Sequence, residues 1–343
     1  MRLTDRQKLI LTLIIHEHIL TAQPVGSKTL VSKYNLAISS ATVRNEMAAL
    51  TDYELLRQPH TSAGRVPTEE GYRFFVGNLV QKSTLPTTTR RTITHQFYQS
   101  RQDVEQWLRL AASVLANQSQ AAALVTAPHA ERAIFKHLEL IATRGRQVLM
   151  VLVLMGGSIR QQFISLAEAV PQDRLSEIAN QISNRCVKCD AETIARIRGQ
   201  FDALGQEILD ILLAEMTLME EAPTGEIYMD GMSNVLSEPE FSGSGEARQA
   251  LHILEERSLL ENLLASTVMN TDVGGIQVLI GGEGTWEELR QCSIVLARYG
   301  DPNSLTGSIG VIGPIRMPYD RTISTVRFVA NVLSDLVSDT LAA

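Results

Sequence analysis

The stretch from Ser39 to Leu50 constrains the N-terminal part of this chain most tightly. Val43, Met47 and Leu50 recur at spacings of four and three, the period of a helix with one buried face. The other face carries Ala41, Thr42, Arg44, Asn45 and Ala48. Ser39 and Ser40 suit the N-cap, and the helix should run to about Thr51. Two helical stretches precede it. Over 5–20, Leu9, Leu13 and His16 lie on one side and Ile10, Ile14 and Glu17 beside them, with Thr4 or Asp5 as cap. A second helix, about Ser27 to Tyr34, follows the breakers Pro24 and Gly26. After the third helix, Leu55 to Pro59 and His60 to Pro67 flank a Ser-Ala-Gly tip, a hairpin pattern. A helix over about 68–80 closes the unit. This order is that of a winged helix-turn-helix.

Its exposed chemistry suits a DNA groove. Small residues let a helix approach closely, Asn45 can pair bidentately with adenine, and Arg44 with guanine. Thr42 adds a hydroxyl on the same face. Ser39 and Ser40 stand where free backbone N–H groups can hold a phosphate. In the wing, Arg57, His60 and Arg65 flank the tip, and Thr61 and Ser62 can bond phosphates or enter the minor groove. Lys28, opening the second helix, is a backbone contact. The competing reading is an ordinary polar helix face, or a winged helix that binds protein.

Charge distribution favours the first reading. The 343 residues carry a net −7, yet residues 1–91 hold 12 Lys/Arg against 7 Asp/Glu, a net of +5. The other 252 hold 19 against 31, a net of −12. A basic head on an acidic body is the pattern of a polyanion-binding module.

Past a Pro- and Thr-rich linker the pattern changes. Strands are expected at 121–126, 134–142, 147–155 and 159–167, then near 227–229, 277–280, 292–299 and 307–312. The aliphatic run Val148 to Met155 predicts a central strand covered on both faces. Helices are expected over 102–117, 174–186, 191–221, 247–264 and 320–341. The whole reads as an α+β, multidomain chain: a sheet domain interrupted by a helical insert at roughly 169–225. The eight-residue aliphatic run is far below the about 20 residues of a membrane span, and the charged N-terminus is unlike a signal peptide. A cytosolic protein without membrane attachment is expected.

Enzyme chemistry has little footing. Cys186 and Cys189 form a C-x-x-C without a second ligand pair at zinc spacing, and Cys292 stands apart. His16 and His18, two apart on a helix, face different ways, one buried and one exposed. Gly281-Gly282-Glu283-Gly284 lacks the G-x-G-x-x-G spacing. No catalytic residue, metal or cofactor is expected.

The N-terminal residues also carry a family resemblance. PVGSKTL, followed by SSATVRNEMAALTDYELLRQPHTSAGRVPTEEGYRFFV, resembles the N-terminal signature of the heat-inducible transcription repressor HrcA family. GMSNVLSEPEFS and GSIGVIGPIRMPYDRTISTV resemble later segments of the same family. The resemblance spans nearly the whole chain. It implies a winged helix-turn-helix domain over 1–82, a linker over 83–100, and a GAF-like domain in two parts, 101–168 and 226–343. An inserted dimerisation domain would occupy 169–225. It further implies repression of chaperone and chaperonin operons at an inverted-repeat operator in double-stranded DNA, with a chaperonin as the partner that keeps the repressor active. The chain departs from the family at Gly281 to Thr285, where Gly284 replaces the usual Asn.

An inverted repeat requires two heads on a two-fold axis. The stripe Leu204, Ile208, Ile211, Leu212, Met216 and Met219 could join two copies into a homodimer, or it could pack within its own domain. The alternative function is a winged-helix regulator that responds to a small molecule, because GAF-like domains hold ligands in apolar pockets.

Overall fold

The computed structural model describes residues 3–60, 63–78, 84–99, 103–129, 132–155, 159–221, 226–241, 256–268, 273–281, 289–301 and 305–340. The chain is of mixed α+β class and forms two compact units. The first comprises Met1–Ala127, Glu226–Tyr299 and Ser308–Leu333; the second comprises Pro128–Gly225, Gly300–Gly307 and Ser334–Ala343.

The first unit begins with α1 (Asp5–Thr21), α2 (Ser27–Tyr34) and α3 (Ser40–Asp52). Thr4 and Gln7 close a reciprocal capping box on α1. Ile10, Leu11, Ile14 and Ile15 are buried, whereas Leu9 is exposed, so the stripe at Ile10 and Ile14 faces the core. Glu17 is buried with them. Its carboxylate accepts from Lys33 Nζ at 2.7 Å and from Tyr34 Oη at 3.1 Å. The Lys33 hydrogen bond holds it below the usual carboxylate range. Next, β1 (Leu56–Arg57) pairs antiparallel with β2 (Val66–Pro67), and α4 (Glu69–Asn78) follows. Gly71 of α4 lies against the Leu55 carbonyl, where a Cβ would stand 2.1 Å away. Only glycine permits that approach.

The expected linker holds a helix. In α5 (Thr87–Gln99) Ile93 and Phe97 are buried. Its run of threonines disguises an apolar pair one turn apart. Then α6 (Val104–Ser119) packs on β3 (Ala122–Thr126) and β7 (Ile227–Asp230). The sheet of this unit has the order β7-β3-β10-β9-β8, with β8 (Ile276–Ile280), β9 (Cys292–Gly300) and β10 (Thr306–Pro314). Leu260, Leu263 and Leu264 of α11 (Arg257–Val268), with Val235 of α10 (Met232–Leu236), cover one face through Ala122, Leu124, Ile294, Leu296 and Ile312. Residues 247–255 of the expected helix before Leu264 lie outside the described residues. A last helix, α12 (Tyr319–Thr340), ends the fold.

One arginine joins the first helices to the sheet within this unit. The Arg316 side chain is only 12% exposed. It donates to the Ile19 carbonyl at 3.2 Å, to Glu240 at 3.0 Å and to Glu238. Arg73 of α4 donates to the Ile280 carbonyl at 2.9 Å. The Tyr72 ring lies 5.9 Å from that of Tyr319, and Tyr72 Oη is 2.8 Å from His18 Nδ1. Burial, then the Arg316 charge, pushes the His18 pKa down to about 4. Glu240, which opposes that shift, and Arg57, which adds to it, face the same ring.

In the second unit, strands β4 (Phe135–Ala142), β5 (Gln147–Leu154) and β6 (Ile159–Ser165) form a three-stranded sheet of their own, in the order β4-β5-β6. This unit starts at Pro128, whereas the expected insert begins at 169. Alternation reveals strands but not their partners, and the few residues between β4 and β5 and between β5 and β6 make local pairing the short route. The run at Val148 is central, yet its two faces differ. Val148, Met150, Leu152 and Leu154 are buried, while Leu149, Val151 and Val153 are half-buried. On the edge of β4, Gln172 of α7 (Gln172–Cys186) bonds the Ala142 amide and the Leu140 carbonyl, which removes free strand groups from water.

The predicted helix over 191–221 is broken. It forms α8 (Ala191–Ile197), a 3-10 turn (Arg198–Gln200) and α9 (Ala203–Glu221). Phe201 is extended, and the Asp202 carboxylate restarts the helix by accepting from the Gly205 amide at 2.9 Å. The α9 stripe serves its own unit. Ile208, Leu212 and Met216 are fully buried, and Leu204 and Ile211 pack on the same core. The Met219 side chain lies outside the described residues. Helical spacing looks alike whether it covers a partner or its own sheet, and here β4–β6 needed the cover. Cys186 belongs to this core, and burial pushes its thiol up to about 11, so it is a packing residue.

Two outcomes follow from this packing. Leu212→Ala should lower the unfolding free energy by about 2–5 kcal/mol in a denaturant titration, with the association state unchanged in sedimentation. A dissociated yet equally stable variant would contradict the buried role. Stability should also fall as pH drops from about 6.5 toward about 4, because the unfolded chain takes up the His18 proton that the folded chain resists. Above pH 6.5 this contribution is fully present. His18→Gln should flatten that limb, and a profile unaltered by the substitution would argue against it.

Candidate nucleic-acid interface

On α3, Val43, Met47 and Leu50 are buried, whereas Ala41, Arg44, Asn45 and Ala48 are exposed. Ser39 is the cap. Its Oγ accepts from the Thr42 amide at 3.1 Å and lies 2.9 Å from the Thr42 hydroxyl. The Thr42 hydroxyl is therefore engaged at its own helix end. Ser40 is half-buried in the first turn. On one flank of the helix, Glu46 pairs with Arg6 at 3.4 Å. Arg44 and Asn45 make no ion pair among the described residues.

The cations around the β1–β2 hairpin fall in two clefts. Arg57 lines a cleft of about 720 Å3 together with His18, Tyr72, Arg73 and Arg316. Gln58 lines a different cleft, of about 560 Å3, with Lys28, Arg44 and Arg65. The structure thus gathers Lys28, Arg44 and Arg65 and sets Arg57 apart from them. Sequence reasoning passed over Gln58, although its place next to Arg57 in an extended segment was a usable signal. Gln58 Nε2 donates to the Ala63 carbonyl at 3.1 Å, and the Ala63 amide donates to the His60 carbonyl at 2.9 Å. These bonds shape the base of the tip. His60 itself is exposed. Thr61 and Ser62 lie outside the described residues.

Arg65 is held by its backbone. Its amide donates to the Val25 carbonyl at 2.9 Å, and its carbonyl accepts from the Val25 amide at 2.8 Å. The wing is thereby stitched to the turn between α1 and α2. Of the loop Gly281 to Thr285, only Gly281 is described. It lies against Glu69 of α4 with φ of +65°, and the departure at Gly284 lies outside the described residues. Among the described residues, no group of three or more His, Cys, Asp or Glu is placed to hold a metal ion. No helix among them is long and apolar enough to cross a membrane.

Comparison with known proteins covers the full chain. The family model for the HrcA protein C-terminal domain matches residues 105–323. The heat-inducible transcription repressor HrcA of Roseiflexus castenholzii is 45% identical over 345 residues, covering 98% of this chain and 95% of the relative. That of Herpetosiphon aurantiacus is 43% identical over 349 residues, covering 99% and 96%. A solved structure described as a hypothetical protein at 2.2 Å resolution superposes with a TM-score of 0.59. It is 25% identical and covers 98% of each chain.

Proposed function

The chain belongs to the HrcA family of heat-inducible transcription repressors, and we propose that its first 82 residues are a winged helix-turn-helix head that reads an inverted-repeat operator in chaperone and chaperonin promoters. The protein is a heat-shock transcription repressor, which is no enzyme class. The observation that carries the DNA-reading assignment is the meeting of Lys28, Arg44 and Arg65 beside the exposed Ala41, Asn45 and Ala48 of α3. Small side chains and an amide face outward while cations gather at the flank, the division a duplex demands between base edges and phosphates. Ser39, Ser40, Thr42, Arg57, His60, Thr61 and Ser62 complete the proposed contact set, with Arg57 lining a different cleft from Lys28, Arg44 and Arg65.

In this reading the α6, α11 and α12 helices and the five-stranded sheet form the GAF-like part, and the second unit joins two copies. The seam is then the outer face of β4–β6 rather than the α9 stripe. Leu149 stands opposite Ile141 and Phe163, and Val153 opposite Ile159. Ile141, Ile159 and Phe163 are 45%, 60% and 66% exposed. Between these apolar rows the same face carries His137, Glu139 and Gln161; exposed apolar side chains interleaved with polar ones suit an interaction site, and a second copy supplies the two-fold axis an inverted repeat needs. The protein works in the cytosol without a cofactor. Heat acts through supply of chaperonin: unfolded clients occupy it, and a repressor that depends on it for its active fraction lets go.

Two experiments test this reading. Phe163→Glu should sediment as a monomer with unchanged far-UV circular dichroism and bind the operator more weakly. A variant that stays dimeric would remove this face from the scheme. Footprinting on chaperone promoters should show protection over an inverted repeat, with added chaperonin raising the binding-competent fraction at constant intrinsic affinity. A fraction constant at all chaperonin levels would rule out the chaperonin dependence. A small metabolite that released the DNA would favour the ligand-responsive alternative.

A further inference from the structure

The cleft between α2, α3 and the base of the wing carries three cationic side chains, Lys28, Arg44 and Arg65, and no Asp or Glu among its lining residues. None of the three makes an ion pair among the described residues. Gathering like charges without an acid is unfavourable unless an anion enters. Arg65 sharpens the point. Its Nε is shut off from solvent and has no hydrogen-bond partner among the described residues. A buried donor left unpaired costs free energy, and a turn of the side chain that brings the guanidinium onto an oxygen acceptor in the cleft would remove that cost. The main chain that carries this side chain is fixed: the Arg65 amide and carbonyl both hydrogen-bond to Val25, and Gly64 lies so close that a Cβ would stand 2.3 Å from the Val25 carbonyl.

The position of Arg44 on its helix agrees with this. An α-helix turns about 100° per residue. Measured from the centre of the Val43, Met47 and Leu50 face, Asn45, Ala41 and Ala48 fall within roughly 50° of the opposite pole, while Arg44 lies only about 90° round, on the flank. That flank borders the cleft it shares with Lys28 and Arg65.

We propose that Lys28, Arg44 and Arg65 form one clamp for a phosphodiester of the DNA backbone. Arg44 then positions the strand rather than reading guanine, and base reading falls to the Asn45 stripe. The assignment rests on the DNA-reading function argued above. It differs in giving the only cation on the exposed face of the reading helix a sequence-independent task.

The test uses the full chain with an operator duplex and an unrelated duplex of equal length, each titrated across a salt series. Arg44→Gln should weaken both duplexes by the same factor and reduce the salt slope by about one. Arg44→Lys should restore most of the loss, because a phosphate accepts a point charge whereas a bidentate guanine contact does not. Arg44→Gln combined with Arg65→Gln should lose less than the two single losses together, as groups sharing one phosphate do. Asn45→Ala should instead cut the operator preference by about tenfold or more. A collapse of operator preference in Arg44→Gln that Arg44→Lys fails to restore would overturn the clamp and leave the repressor function standing. A wild-type chain without salt-dependent DNA binding would overturn that function as well.

Discussion

A guanidinium that is only 12% exposed has to be compensated from several directions at once, and Arg316 is. Glu238 and Glu240 supply charge, and the Ile19 carbonyl supplies an acceptor from the last turn of α1, where helix carbonyls lack partners within the helix. Removing one member of such a set leaves a buried charge unpaired, at about 3–5 kcal/mol. The arginine sits between β10 and α12, so the sheet holds the first helix through one polar junction. Tyr72 against Tyr319, and Arg73 on Ile280, add contacts of the same mixed kind. The geometry of a hydrogen-bonded junction is specific in a way that apolar burial alone is not.

Polar docking also suits a repressor that must cease to act. Folded chains keep only about 5–15 kcal/mol of net stability. A junction made of hydrogen bonds and ion pairs contributes less buried apolar surface to that total than apolar packing of the same extent would. The His18 ring, kept neutral by burial beside Arg316, is one group whose proton uptake opposes the docked form.

Much of this was legible in the chain. The α3 pattern at Val43, Met47 and Leu50 is the buried face seen, and the strands at 121–126, 147–155 and 292–299 lie within a residue or so of β3, β5 and β9. Local pattern carries local structure because hydrophobic period is set by element geometry. What escaped was everything decided by partners. The strands at 134–167 have ordinary alternation, and nothing in it says that they pair among themselves. The α9 stripe matches a dimer seam and a core face equally well, and β4–β6 decided between them. The helix at Thr87 was hidden because threonine disfavours helices by itself, while Ile93 and Phe97 gain enough by burial to override it. Arg57 and Gln58 are adjacent in sequence and line different clefts, a division that a list of cations ignores.

The charge split acquires a narrower meaning from the same geometry. A chain of net −7 is repelled by DNA only as far as its acids act, and exposed charges beyond about 8 Å are largely screened at physiological salt. The surplus of +5 in the first 91 residues therefore matters less as a total than as a placement. Glu17 is spent on Lys33, Glu46 on Arg6, and Glu69 and Glu70 on Arg73. Those pairings neutralise cations elsewhere in the head and leave Lys28, Arg44 and Arg65 around a cleft with no acid in its lining. The acids of the head thus set where its positive charge is left available, and that place is the flank of the helix whose outer stripe is small and uncharged.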